Sequence, residues 1–391
     1  MHRRTFLIAI GAGGLLAAVS AMAAPAVADS PAGTPGNGAS SQAAVSTTGR
    51  YVVFRSVATN LVAGDTNGKA DIFIRDRVAN TTKRVSVTSG GAQANADSSR
   101  PSVSWDGRYV VFLSAASNLV PGDTNGKVDA YRKDLATGRL VRINTSAAGA
   151  QANAAADTVR VSADGNRIVF ATTASNLVAG DNRPGDVFLR DMAAGALKRI
   201  TEAVPSTQDL DNDYGVFADI SPNGQISTFS TFYADPAFPG HYCGQAWVWS
   251  AGTGRSVVKA TKCDDPEASR GYPQVYALND GFAPVLHDGM LSEQVLVTRP
   301  AGYPSFTVRI DADCGRDVSG WGKAVVRDCA GQVHWIGNDG QTTIVAPGKE
   351  PGVSDDGLSV AYIDTSGAPS KWNQIRVWDR RTGTSTLISQ R

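Results

Sequence analysis

The side chains with the clearest capacity for chemistry in this 391-residue chain are oxygen-bearing ones that alternate around a glycine. Asp65, Asn67 and Asp71 surround Gly68, and the set returns as Asp123, Asn125 and Asp129 around Gly126. Calcium takes carboxylate and amide oxygens from short glycine-turn loops, and it needs roughly six to eight of them. Each set could therefore begin a calcium site, completed by Asn95, Asp97 or water. The competing reading is structural: Asp65 and Asn67 close Asx turns, Gly68 supplies a positive φ, and Asp71 caps the loop. A third copy, Asp181 to Asp186, loses the spacing and is expected to hold no ion.

A second set consists of residues that interrupt an otherwise regular pattern. Five positions before a recurring turn glycine stand Arg160, Asp219, Tyr276 and Asp317, where related positions hold Ala44, Ser102 and Gly352. If these positions line a central channel, the four form a polar ligand pocket; the alternative is a salt-bridge network along a water-filled channel. No catalytic residue is assigned. Apart from His2, the histidines are His241, His287 and His334, at no repeating position, and Gly-x-Ser-x-Gly, His-Glu-x-x-His and phosphate-loop motifs are absent. The chain reads as a binding protein rather than an enzyme. The alternative is a polysaccharide-acting hydrolase or lyase, with Asp219 and Asp317 as paired carboxylates.

These residues sit in a repeat: Gly49-Arg-Tyr-Val-Val-Phe54 through Asp76 recurs almost unchanged from Gly107 to Asp134, and a third copy starts at Gly165. Each unit reads as four strands with turn residues at every boundary. The turn glycine recurs at Gly49, Gly107, Gly165, Gly224, Gly281, Gly322 and Gly357, which gives seven units; six to eight are allowed, because Gly281 and Gly289 both fit the fifth. A lone four-stranded sheet exposes two apolar faces, and radial packing around an axis buries them, so the expected fold is an all-β propeller. The loops from Asn60 to Asp71 and Asn118 to Asp129 should share one rim with the inter-unit connections around Gln93 and Gln151, and ligands should prefer that rim. The aspartates Asp76, Asp134, Asp191 and Asp379 recur before turns and read as Asx-type closures.

The cysteines give an independent check on the strand map. Cys243 and Cys263 straddle the turn Ala251-Gly-Thr-Gly254, and Cys314 and Cys329 straddle Trp321-Gly322. Directly opposed residues of an antiparallel pair bring their Cβ atoms to about 4.5–5.5 Å, close to disulfide geometry, so the expected bridges are 243–263 and 314–329. A metal site is the rival, but no Cys-x-x-Cys spacing exists.

The repeat itself, Ser-x-Asp-Gly-Arg-Tyr-Val-Val-Phe followed by Asp-x-Phe-x-Arg-Asp and Thr-Gly, resembles the TolB-type propeller repeat, a relative of the WD repeat. The resemblance covers most of residues 45–391 and implies a propeller, export and ligand or protein binding; it implies no particular reaction. TolB itself is a periplasmic partner of an envelope lipoprotein, and that partner is not carried over.

Export is also legible in the first residues. Met1-His-Arg-Arg4, an apolar segment to Ala23 and Ala26-Val-Ala28 form a secretory signal over residues 1–28, and Arg3-Arg4-Thr5-Phe6-Leu7 resembles a twin-arginine signal. Residues 29–44 read as a flexible leader and 45–391 as one propeller domain. The expected protein is secreted or extracytoplasmic, monomeric, without stable membrane insertion once the signal is removed, and serves as a binding or scaffold protein for an unidentified protein or glycan partner. Lys and Arg total 37 against 36 Asp and Glu, a formal charge of +1, which disfavours nucleic acid.

Overall fold

The computed structural model of the protein describes residues 33–181, 185–201, 218–234, 242–263, 275–278, 281–287, 292–297, 306–311, 315–319, 323–366 and 372–391. The expected signal over residues 1–28 and Cys314 lie outside the described residues. The first sheet is β1 (Ser40–Val45), β2 (Tyr51–Ser56), β3 (Asp71–Asp76) and β4 (Thr81–Arg84); the second is β5 (Ser98–Val103), β6 (Tyr109–Ser114), β7 (Asp129–Asp134) and β8 (Leu140–Arg142). The third is β9 (Ala156–Val161), β10 (Arg167–Thr172), β11 (Asp186–Asp191) and β12 (Ala196–Arg199), and the fourth β13 (Ala218–Ile220), β14 (Ile226–Ala234), β15 (Tyr242–Ser250) and β16 (Arg255–Cys263). The fifth is β17 (Val275–Leu278), β18 (Gly281–His287), β19 (Ser292–Val297) and β20 (Phe306–Asp311). Then follow β21 (Gly315–Val318), β22 (Ala324–Cys329), β23 (Gln332–Gly337), β24 (Thr342–Val353), β25 (Ser359–Asp364), β26 (Gln374–Asp379) and β27 (Thr384–Leu387) in one seven-stranded sheet.

The expectation of seven separate blades is thereby corrected: among the described residues five four-stranded sheets stand alone, and the last seven strands form one sheet. The physical cause is β24, whose first half pairs with β23 from Gln332↔Pro347 to Ile336↔Thr342. Its second half pairs with β25 from Gly348↔Asp364 to Val353↔Val360. No turn intervenes, so β24 joins the strands on either side of it into one sheet.

The strand cores are apolar on both faces because each sheet is sandwiched between two others. In β2, Val53 packs with Val110, Phe112 and Tyr131 of the second sheet, whereas its neighbours Val52 and Phe54 pack with Ala361, Ile363 and Val377 of the last. Alternate side chains of one strand thus serve opposite neighbours, as the two-residue period of a strand requires. The turn glycines are fixed by the same packing. Gly107 has φ 73°, and a Cβ there would overlap the Tyr51 ring of the preceding blade; Gly165 meets Tyr109 in the same way. Each turn is closed from below by serine, with Ser46 Oγ accepting from Tyr51 N at 3.0 Å and Ser104 Oγ from Tyr109 N at 2.9 Å.

Closure of the ring follows from a contact that repeats at three junctions. Lys133 Nζ donates to Thr88 O of the first blade at 2.8 Å, and Arg190 Nε to Ile143 O of the second at 3.1 Å. Arg75, at the same register place, donates to Gln390 O at the chain's far end, at 3.5 Å. Around that end Gly36 N donates to Ser389 O and Arg391 N to Thr34 O, at 2.9 and 3.0 Å. Asn37 N donates to Asn60 Oδ1, as Asn95 N does to Asn118 and Asn153 N to Asn176. Residues 33–39 therefore play the part for the last blade that residues 91–97 play for the first. The boundary drawn after residue 44 is corrected on this ground: Ser40–Val45 is the innermost strand of the first blade.

Candidate functional site

The long loops and the inter-blade connections share a rim, and there the paired aspartates converge on arginine. Arg84, closing β4, places Nη1 at 2.9 Å from Asp65 Oδ1, 3.1 Å from Asp71 Oδ2 and 2.7 Å from Gln93 Oε1. Its Nη2 lies 3.3 Å from Gly64 O. In the second blade Arg142 lies 3.1 Å from Asp123 and 3.2 Å from Asp129, and in the third Arg199 lies 3.2 Å from Asp181 and 3.5 Å from Asp186. A divalent ion among these oxygens would share their common centre with a guanidinium, so the residues present do not fit calcium, and that expectation is corrected. Asn67 and Asn125 turn amide protons, not oxygens, toward the carboxylates, at 2.9 Å from Asp71 and 3.1 Å from Asp129. Asn95 and Asp97 do not complete the shell: Asn95 bonds Ser117 and Asn118, and Asp97 accepts from Ala70 N.

Burial of these clusters perturbs their titration. Desolvation pushes Asp65 up, opposed by the charge of Arg84. Desolvation also raises Asp129, against hydrogen bonds from Asn144 and Asn125. The third copy, expected to have lost the arrangement, keeps both carboxylates and the arginine, but has fewer donors. Asp181 is raised to about 7 by burial first and then by the carboxyl of Asp186, with which it shares a hydrogen bond. Thr201 Oγ1 donates to Asp186 Oδ1. What the sequence reading missed was the arginine, although the signal was present: Arg84 and Arg199 each follow the second aspartate of their loop by 13 residues.

The turn aspartates do serve as closures. Asp76 Oδ1 accepts from Val78 N and Ala79 N, and a bidentate Arg50 completes its shell at 3.1 and 2.8 Å. The Arg50 hydrogen bond is the main reason its carboxyl is held down to about 2; Arg108 does the same for Asp134, also to about 2.

The inner strands carry the remaining candidates. Arg160 lies on β9 opposite Val169, half-buried, with Nη1 donating to Val159 O at 3.0 Å. Asp219 occupies the matching place on β13 opposite Thr228, also half-buried. Tyr276 and Asp317 lie on β17 and β21 opposite Ala283 and Val326, and their side chains lie outside the described residues. The described members of this register position face the neighbouring blade: Ala44 packs against the cluster between the first two blades, and Ser102 Oγ accepts from Val161 N of the third at 3.4 Å. Two residues earlier, bulges with positive φ put Gln42, Arg100 and Glu350 in exposed positions on the inner strands. Gln42 Oε1 accepts from Arg100 N at 2.8 Å. Asp157, exposed on β9, is raised by desolvation and lowered by Arg100. A bulge adds one residue on one side of the pair and turns that extra residue outward, so these exposed positions stand beside the register that Arg160 and Asp219 occupy.

Cys243 and Cys263 are direct register partners on β15 and β16. Cys329 is disulfide-bonded. His334 is half-buried, its imidazole lowered by desolvation and by Arg327. Among the described residues no group of three or more His, Cys, Asp or Glu could hold a metal ion, and no helix is long and apolar enough to cross a membrane.

The architecture defines a β-propeller, and comparison with solved structures agrees. A prolyl endopeptidase is similar with a TM-score of 0.56 at 13% identity, over 90% of this chain and 49% of its own, so the chain spans about half its length. The β-propeller domain of the Trilobed protease from Pyrococcus furiosus is similar with a TM-score of 0.50 at 11% identity, over 90% of this chain and 97% of that domain. A TolB from Agrobacterium tumefaciens is similar at 17% identity over 56% of this chain and 64% of its own, with a TM-score of 0.36. No family model and no curated protein matches the sequence.

Proposed function

We propose that the chain is an exported propeller that binds a protein or ligand at or outside the cell envelope and performs no chemistry on it. The observation that carries this reading is the division of its polar groups. The recurring carboxylates and amides of the rim are consumed by Arg84, Arg142 and Arg199 and by one another, which makes them part of the scaffold. Charges outside the repeat, Arg100, Asp157 and Glu350, stand exposed on the inner strands, where a partner can reach them.

The seven-stranded sheet is read as two blades sharing β24, which gives seven units around the ring. The bridges are read as 243–263 and 314–329, formed in an oxidising compartment after removal of residues 1–28. Arg160, Asp219, Tyr276 and Asp317 are read as inner-strand ligand contacts beside the bulge residues.

The test is chemical cross-linking from an envelope fraction. Intact protein should capture a partner that Arg100→Ala and Glu350→Ala together fail to capture. Release of reducing sugar from a polysaccharide panel, abolished by Asp219→Asn, would instead establish the hydrolase or lyase reading. Amino-terminal sequencing of exported material should begin at Asp29, and retention of uncleaved chain inside the cell would remove the export part of the proposal.

A further inference from the structure

The junction between the second and third blades departs from the other described junctions. The residue paired with the fourth position after the turn glycine is apolar in every other blade where this register pair is described: Ile74, Leu189, Val248, Val295, Trp335 and Val377. In the second blade it is Arg132, paired with Val111. Ile74 and Leu189 belong to the apolar clusters that join their blades to the next, whereas the cluster joining the second and third blades has no member at this place. Folding alone does not ask for this arginine, because an aliphatic side chain fills the same position elsewhere in the ring.

Where the aliphatic side chain is missing, a cleft of about 370 Å³ opens between β8 and the end of β11. Its walls carry Arg132, Arg139, Arg142 and Arg190, with Val141, Ile143 and Met192 supplying apolar surface. Two of the arginines are engaged: Arg142 with Asp123 and Asp129, and Arg190 with the carbonyls of Ile143 and Thr145. The two aspartates of the lining are engaged as well, Asp134 by Arg108 at 2.9 Å and Asp191 by Arg167 at 3.8 Å and by the amides of Ala193 and Ala194. Arg132 and Arg139 have no carboxylate within ion-pair distance among the described residues. Arg132 instead has its guanidinium carbon 3.9 Å from the centroid of the Tyr109 ring, a cation–π contact that holds the fork in place without using its donors. Arg139 is exposed at the mouth, where the flanking blades have Thr81 and Ala196.

We propose that this cleft binds a small oxyanion with an apolar body, its carboxylate or phosphate held by Arg132 and Arg139 and its body laid against Val141, Ile143 and Met192. A planar guanidinium offers paired donors that match either group, and a cleft of this size suits a small organic molecule. The site is independent of the inner-strand contacts of the binding reading and stands or falls separately from them.

The experiment titrates intact protein with benzoate, phenyl phosphate and neutral benzamide, reading heat by calorimetry and chemical shifts at Met192. At least one anion should bind at millimolar concentration or below, benzamide at least tenfold more weakly, and rising salt should weaken the anion. The choice between benzoate and phenyl phosphate identifies the source of the charge. Arg132→Ile and Arg139→Thr install side chains that the first blade carries and should keep the melting temperature of the parent while reducing anion binding at least tenfold. Equal binding of benzamide, no binding of either anion at 10 mM (about the weakest affinity of interest), or unchanged binding in both variants overturns the proposal.

Discussion

Replacing Arg84 by methionine keeps most of the side-chain length and removes the charge, and two opposite consequences follow. Asp65 and Asp71, whose side chains are 3% and 0% exposed, lose the one cation that pairs with them both among the described residues. Breaking a buried pair from one side costs about 3–5 kcal/mol, because the stranded charge remains desolvated. At roughly 2 °C per kcal/mol for a large domain, the melting temperature should fall by about 6–10 °C. Asp65→Asn in the same chain should restore much of that loss, since one of the two stranded charges is gone. The vacated place is ringed by Asp65 Oδ1, Asp71 Oδ2, Gln93 Oε1 and Gly64 O, a set of oxygens suited to calcium. Arg84→Met should therefore gain thermal stability in calcium, and the parent should gain none. A site with a dissociation constant of about 10 μM would add about 2.7 kcal/mol at 1 mM, well within the reach of calorimetry. A parent protein that melts higher in calcium than in EDTA would refute the reasoning, as would an Arg84→Met variant that melts with the parent.

Gly107→Ala should lower stability by about 2 kcal/mol or more, since a positive φ and the Tyr51 ring both oppose a Cβ; Tyr51→Ala in that background should relieve the steric part, read by chemical denaturation. Asp76 and Asp134 have carboxyls held down to about 2, so their contribution is present above about pH 4, the unfolded value, and is lost as pH falls through 2. Asp134→Asn should flatten that acid limb, and because Arg108 is exposed and screened by solvent the change should be small. Asp181 has the opposite sign: its raised carboxyl lets the folded state hold a proton that the unfolded state has released, so stability falls as pH rises from about 4 toward 7. Asp181→Asn should remove that slope in melts across pH 4–8, and an unchanged slope would reject the shared-proton pair. Peptide mapping without reductant should link Cys243 to Cys263 and Cys314 to Cys329, and reduction should cost about 3 kcal/mol per bridge.

Much of the ring was legible in the chain because a repeated unit states its own solution several times. The turn glycines, the serines that close the turns beneath them and the aspartates at the third-strand turns recur in sequence because each performs a local task, and local hydrogen bonds follow from spacing. The symmetric cysteine spacing found the β15–β16 register by the same logic. The constant spacing of 13 residues marks the arginine as part of the unit, but spacing alone does not say that its guanidinium enters the aspartate pair. Arg84 reaches Asp71 across a strand pair and Gln93 across the next connection, and only the fold brings these three together.

Tertiary structure also decided where the inner-strand residues face and where the ring is sealed. A bulge of one residue moved the exposed positions to Gln42, Arg100 and Glu350, away from the register that Arg160 and Asp219 occupy. The segment before Ser40 reads as polar leader in sequence, and becomes structure because Ser389, Gln390 and Arg391 arrive beside it with unpaired backbone groups. The sequence alone determined the unit and its turns, through residues that touch their own neighbours in the chain. The occupancy of the rim, the closure and the odd junction at Arg132 depend on contacts between blades, where the energy of a charge or a cavity is set by whatever the next blade places against it.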